Sequence, residues 1–121
     1  MPLSIEKQVE QNITVLLLSG PLTLGPSLYA LNQAARKALE SASTEALILD
    51  VAGVTSVDSA GLGELTLVYT LATRRNCRVV LVNVTPMLRH SLTVTHLDAL
   101  LPSCGDVAAA KKFLASSKEG A

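Results

Sequence analysis

Residues 47–65, LILDVAGVTSVDSAGLGEL, open as an unbroken apolar run, pass through small and hydroxyl-bearing residues, and end in leucines at helical spacing. A continuous run such as ALILDV (46–51) suits a strand covered on both faces, as strands of a parallel sheet are. The stretch therefore reads as strand, loop and helix start. In open α/β sheets, ligand and partner sites gather at the carboxyl ends of strands, so GVTSVDSAGLG (53–63) is the first place to look for function.

Downstream, the spacing predicts a helix over 60–76, with Leu62, Leu65, Tyr69 and Ala72 on one stripe and basic residues at its C-terminal end. RVVLVNV (78–84) is a second buried strand, and TPMLRHSLTV (85–94) a shorter helix with Thr85 as N-cap and Pro86 in the first helical position. A short apolar piece, LDALLP (97–102), precedes a last helix, GDVAAAKKFLASS (105–117), with Val107, Ala110 and Leu114 on one side. Upstream, GPSLYALNQAARKALE (25–40) carries Leu28, Leu31, Ala35, Ala38 and Leu39 at helical spacing, with Pro26 where a first turn accepts proline. LSIEKQV (3–9) alternates like a half-exposed edge strand, NITVLLLSG (12–20) is a second strand, and the intervening Gln-Asn is short enough for a hairpin turn. The order β-β-α-β-α-β-α-β-α predicts an α/β fold: a mixed, mostly parallel five-stranded sheet packed with four helices.

The chain has 121 residues, enough for one domain over 1–121, with a core at about 3–115 and a C-terminal KEGA (118–121) expected to fray. Hydrophobic residues make up 49%, yet there is one Phe, two Tyr and no Trp, so the core is aliphatic. Ten basic and ten acidic residues cancel, which gives no electrostatic reason to expect a nucleic acid ligand. Cys77 and Cys104 have no zinc-site spacing and read as free thiols of a reducing compartment. The start lacks the pattern of a signal peptide, and runs such as VLLL and VVLV are far shorter than the ~18–20 residues that span a bilayer. These features predict a soluble, cytoplasmic protein without membrane insertion.

Ser59 stands at the strand–helix junction beside Asp58, with Gly53, Gly61 and Gly63 allowing unusual backbone angles and close approach by another chain. One reading is structural, with the Ser59 hydroxyl capping the first helical turn. Nucleophilic catalysis needs an adjacent base and a group to orient it. His90 and His96 are the histidines on offer, and there is no G-x-S-x-G elbow, P-loop or metal-ligand spacing. One further chemistry suits a hydroxyl at a helix N-terminus: phosphate attachment, which the free amides and positive dipole end receive without refolding the helix.

LILDVAGVTSVDSAGLGEL (47–65) and NVTPMLRHSLTVTHLDALLP (83–102), with the elements around them, resemble the STAS domain of bacterial anti-sigma factor antagonists over roughly residues 3–115. The resemblance implies that the serine after the aspartate, here Ser59 after Asp58, is phosphorylated by an anti-sigma factor with serine kinase activity. The unmodified antagonist then binds that partner and frees sigma factor, phosphorylation reverses the binding, and a serine phosphatase resets it. The implied contact surface is Thr23, Thr55, Ser56, Asp58, Ser59, Ala60, Gly61, Leu62 and Gly63, and no cofactor is implied. Two positions depart from the family pattern. GPLT (20–23) replaces the usual G-E-L-D, which puts Pro21 and Thr23 in the acidic positions and points to a partner with a less basic surface. Thr95-His96-Leu97 replaces Thr-Gly-Leu, and histidine tolerates the left-handed cap better than most residues, so His96 reads as structural. A second family role stays open: a STAS subunit docked constitutively on an ABC-type lipid-transport ATPase, whose relatives carry an alanine like Ala60 in a D-x-A-G-L loop. The edge strand could support a weak dimer, although Glu6 and Lys7 look like edge protection, so monomer and weak dimer are both compatible with the sequence.

Overall fold

A computed structural model describes residues 2–119, with side chains described through residue 116. The chain runs β1 (Ser4–Glu10), β2 (Ile13–Leu22), α1 (Pro26–Leu39), β3 (Ala46–Val57), α2 (Ser59–Thr73), β4 (Arg78–Val82), α3 (Pro86–Val94), a 3-10 turn (Leu97–Ala99), β5 (Ser103–Cys104) and α4 (Val107–Glu119). The strands form one five-stranded sheet in the order β1-β2-β3-β4-β5. β1 pairs antiparallel with β2 through a turn in which Gln11 takes a left-handed φ of 53°, and the other pairings are parallel. The α/β class, the strand count and the mostly parallel topology agree with the sequence pattern.

Alternation along the strands explains why the central runs are apolar throughout. Leu47, Leu49 and Val51 of β3 face the side covered by α1, α2 and α3, where they meet Leu31, Leu65, Val68, Leu88 and Leu92. Ile48, Val80 and Val82 face the other side, where Ala110 and Leu114 of α4 cover them. Each fully buried leucine contributes roughly 1.5–3 kcal/mol of transfer free energy, so these layers dominate the stability of the sheet. Polar contacts fasten α4 at its edges: Lys111 pairs with Glu10, and the Arg78 guanidinium lies 5.2 Å from the centroid of the Phe113 ring.

Several boundaries differ from the sequence reading. β3 continues to Val57 because β2 runs beside it to Leu22, pairing Pro21 with Ser56 and Leu22 with Val57 after register shifts on either side of Gly20. α2 stops at Thr73, since Asn76 turns left-handed (φ 56°) and lets the Cys77 amide return to the Ala72 carbonyl at 2.9 Å. β4 stops at Val82, where Asn83 is left-handed (φ 57°) and its side-chain amide donates to Asp50 Oδ2 at 3.1 Å. LDALLP forms the 3-10 turn, and the fifth strand comes just after it and is two residues long. The expected caps of α3 are present, with Thr85 accepting from the Leu88 amide and Pro86 in the first turn. His96 adopts φ 62° and is exposed, as a cap residue standing in for glycine should be. Helix α4 reaches Glu119, and Gly120 and Ala121 of the KEGA end lie outside the described residues. Both cysteines are free, and burial pushes the Cys77 thiol up to about 11. Among the described residues no helix is long and apolar enough to cross a membrane.

Candidate functional site

The parallel pairing of β2 and β3 delivers two loops to one edge of the sheet: residues 23–25 after β2, and the β3–α2 junction. Asp58 joins them. Its backbone is extended (φ −121°, ψ −177°), the conformation of an N-cap, and its carbonyl accepts the first helical bond from Leu62 at 3.0 Å. One carboxylate oxygen accepts from the Gly61 amide at 2.8 Å and the other from the Leu24 amide at 3.0 Å. Those amides, Leu24's first and then Gly61's, hold the Asp58 carboxyl below the ordinary aspartate value of 3.8. The capping residue is therefore Asp58, which corrects the reading of Ser59 as cap. An ionised carboxylate has two acceptor oxygens and satisfies donors on two segments, whereas a hydroxyl would serve one.

Ser59 is instead the first helical residue of α2, and it is exposed. Its hydroxyl makes no hydrogen bond among the described residues. The amides of a first helical turn have no intrahelical acceptor and lie at the positive end of the dipole, so an oxyanion carried on Ser59 meets donors rather than repulsion from the backbone. His90 is exposed on α3 and His96 follows that helix; among the described residues, neither is hydrogen-bonded to Ser59. The described residues also bring no group of three or more His, Cys, Asp or Glu together as a metal site.

The glycines divide by role, and none of the three near the loop has a positive φ, contrary to the sequence reading. A Cβ on Gly61 would lie 1.9 Å from the Leu22 carbonyl oxygen, and one on Gly53 would lie 2.8 Å from the Leu18 carbonyl oxygen. These two admit their own neighbouring strand. Gly63 is exposed with nothing within 4 Å of its would-be Cβ, so it alone leaves space for another chain.

Of the remaining positions, Thr55 and Ser56 are exposed at the end of β3, and Thr23 and Ala60 are half-buried nearby. Leu62 is only 7% exposed and packs in the core, and Gly61 is buried, so neither offers a side chain to a partner. That corrects their place on the contact surface: the spacing that puts Leu62 on the inner stripe of α2 also removes it from the outside. Leu24, in the same turn as Thr23, is 79% exposed at the tip of the first loop while its amide is fixed on Asp58. Sequence reasoning missed the bond from the Asn32 side-chain amide to Glu64 at 3.1 Å, which ties α1 to α2 behind the loops.

A family model for the STAS domain matches residues 4–110. No curated protein matches the sequence. Among solved structures, an anti-sigma factor antagonist from Mycobacterium paratuberculosis is similar with 22% identity, a TM-score of 0.76, and coverage of 91% of this chain and 92% of that one. The phosphorylated form of the Bacillus cell fate determinant SpoIIAA is similar with 17% identity, a TM-score of 0.68, and coverage of 92% and 98% respectively. The murine Solute Carrier 26 family member A9 anion transporter is similar over 90% of this chain but only 18% of its own, with 17% identity and a TM-score of 0.79.

Proposed function

The chain belongs to the STAS domain family, and from that premise we propose that it is a cytoplasmic anti-sigma factor antagonist of one domain, switched by phosphorylation of Ser59. The observation that carries the reading is an exposed, uncommitted serine hydroxyl on the first residue of α2, beside the loop that follows β2. The partner is an anti-sigma factor with serine kinase activity, and binding it releases sigma factor for transcription. Its contact surface is Thr23, Leu24, Thr55, Ser56, Ser59, Ala60 and Gly63, with Asp58 and Gly61 shaping it from within.

In the switching step the Ser59 oxygen attacks the γ-phosphorus of ATP held by the kinase. An O–P bond forms, the bond to the β–γ bridging oxygen breaks, ADP leaves with that electron pair, and the hydroxyl proton passes to a base of the kinase. The antagonist supplies the acceptor and its placement and performs no catalysis. Phosphate adds about 1.5–2 negative charges. A like charge ~4 Å away across the interface costs roughly 4 kcal/mol at an effective dielectric of about 20. Since about 1.4 kcal/mol is tenfold, affinity falls a hundredfold or more. A serine phosphatase hydrolyses the ester and restores binding. Pro21 and Thr23, in positions where the family carries acids, fit a partner whose facing surface is less basic.

A second reading, constitutive docking on an ABC-type lipid-transport ATPase, draws on the same missing acids and on Ala60. One experiment separates the two. The protein is incubated with ATP and the kinase-type anti-sigma factor of its own genome, then digested for phosphopeptide mapping. Phosphate on Ser59, absent in Ser59→Ala, supports the switch; an unmodified Ser59 with undiminished binding to a transport ATPase supports the second reading.

A further inference from the structure

We infer that Asp58 is a positioning residue that couples the phosphorylation state of Ser59 to the placement of Leu24. The inference rests on the proposed modification of Ser59 and adds a structural consequence to it.

The coupling follows from how one carboxylate is shared. Oδ1 takes the Gly61 amide at 2.8 Å and Oδ2 the Leu24 amide at 3.0 Å, so the helix start and the loop tip are held by the same rigid group. The loop has little else to fix it. Leu22 is fully buried and paired with Val57, and Pro26 begins α1, but between them Leu24 is 79% exposed and Gly25 has a φ of 130°. The Leu24–Asp58 bond spans 34 residues of sequence and ties the tip to the body of the protein. While it holds, Leu24 is presented beside Ser59 as an ordered apolar contact.

A phosphate on Ser59 enters this arrangement one residue from Asp58. Its oxygens compete for the same first-turn amides that the carboxylate caps, and its charge repels the carboxylate. Asp58 is only partly buried, so its side chain can rotate toward solvent. Rotation breaks both bonds together. The phosphate replaces the acceptor at Gly61, but nothing replaces it at Leu24, and the loop tip is released. A partner then meets new charge and also loses an ordered leucine, so modification acts at two points of the surface.

The test places phosphoserine at position 59 by genetic encoding, so that no kinase is needed, and follows backbone amides by nitrogen–proton NMR with hydrogen exchange. The Leu24 amide should shift and exchange at least about tenfold faster than in the unmodified chain. Gly61 should remain protected, and the Leu88 amide, capped by Thr85 at the start of α3, serves as the unchanged reference. In the unmodified chain, Leu24 and Gly61 shifts should titrate together, at a pH below 3.8, as Asp58 protonates. Asp58→Asn should separate the two bonds. Its remaining carbonyl oxygen caps Gly61 while its amide group cannot accept from Leu24, so Leu24 alone becomes labile. A Leu24 amide that is unchanged by phosphoserine, or that does not titrate with Gly61, overturns the coupling. Neither result bears on whether a kinase modifies Ser59, which the phosphopeptide map decides separately.

Discussion

Two glycines in the first turns of α2 should respond to alanine with opposite signs. In Gly61→Ala the new methyl group would stand 1.9 Å from the Leu22 carbonyl oxygen and 2.9 Å from its carbon. Ordinary contact begins near 3.4 Å, so the helix start and the end of β2 must separate by about 1.5 Å. The obstacle is backbone, and the same carbonyl accepts from the Asp58 amide at 3.4 Å, so the shift also disturbs the cap. Overpacking against backbone that cannot yield lies at the upper end of its range, roughly 3 kcal/mol. Alanine's helix propensity returns up to ~1 kcal/mol, leaving a net loss of about 2 kcal/mol. At this chain length that lowers the Tm by about 6–10 °C. Gly63→Ala meets no atom within 4 Å and keeps the propensity term alone, so it gains up to about 1 kcal/mol, or roughly 3–5 °C. Thermal and urea unfolding of the two variants measure both effects. If Gly61→Ala is as stable as the wild type, the close approach of α2 to Leu22 is wrong. If Gly63→Ala destabilises, the open exposed face assigned to that turn is wrong.

Two other outcomes follow from the same geometry. The Asp58 carboxyl has a lowered folded-state pKa, so its contribution to stability is complete above 3.8 and is lost as pH falls through the folded value; urea unfolding across that range should show a component that Asp58→Asn abolishes, and identical pH profiles would contradict the two-amide environment. Arg78→Ala removes the cation facing the Phe113 ring and the bond to the Leu114 carbonyl at 3.4 Å, and should cost about 0.5–2 kcal/mol with faster amide exchange confined mainly to α4; uniform loss across the sheet would refute that placement.

Much of this fold was legible because periodicity records burial. ALIL (46–49) and VVLV (79–82) are apolar at every position because helices cover both faces, and the stripes of α1, α2 and α4 point at that sheet. What was not legible depends on partners distant in sequence. The loss of the apolar run in AGVTSV predicts an end of β3 at Val51, and its continuation to Val57 depends on pairing with Gly20–Leu22 across the register shifts. At the site, the serine and its junction were visible in VDSAGLG, but Asp58 and Ser59 are both good capping residues, and the choice between them is made by the Leu24 amide, 34 residues away. Gly61 and Gly63 look alike in sequence; only the neighbouring Leu22 carbonyl makes one internal and leaves the other open.

The most direct test of the switch is the affinity of the kinase-type anti-sigma factor for this protein, unmodified and carrying phosphoserine at position 59, measured by titration calorimetry at fixed ionic strength. The unmodified chain should bind tightly and the phosphorylated one at least a hundredfold more weakly, with Ser59→Ala retaining the tight form. Equal affinities for the modified and unmodified chains would contradict the switch.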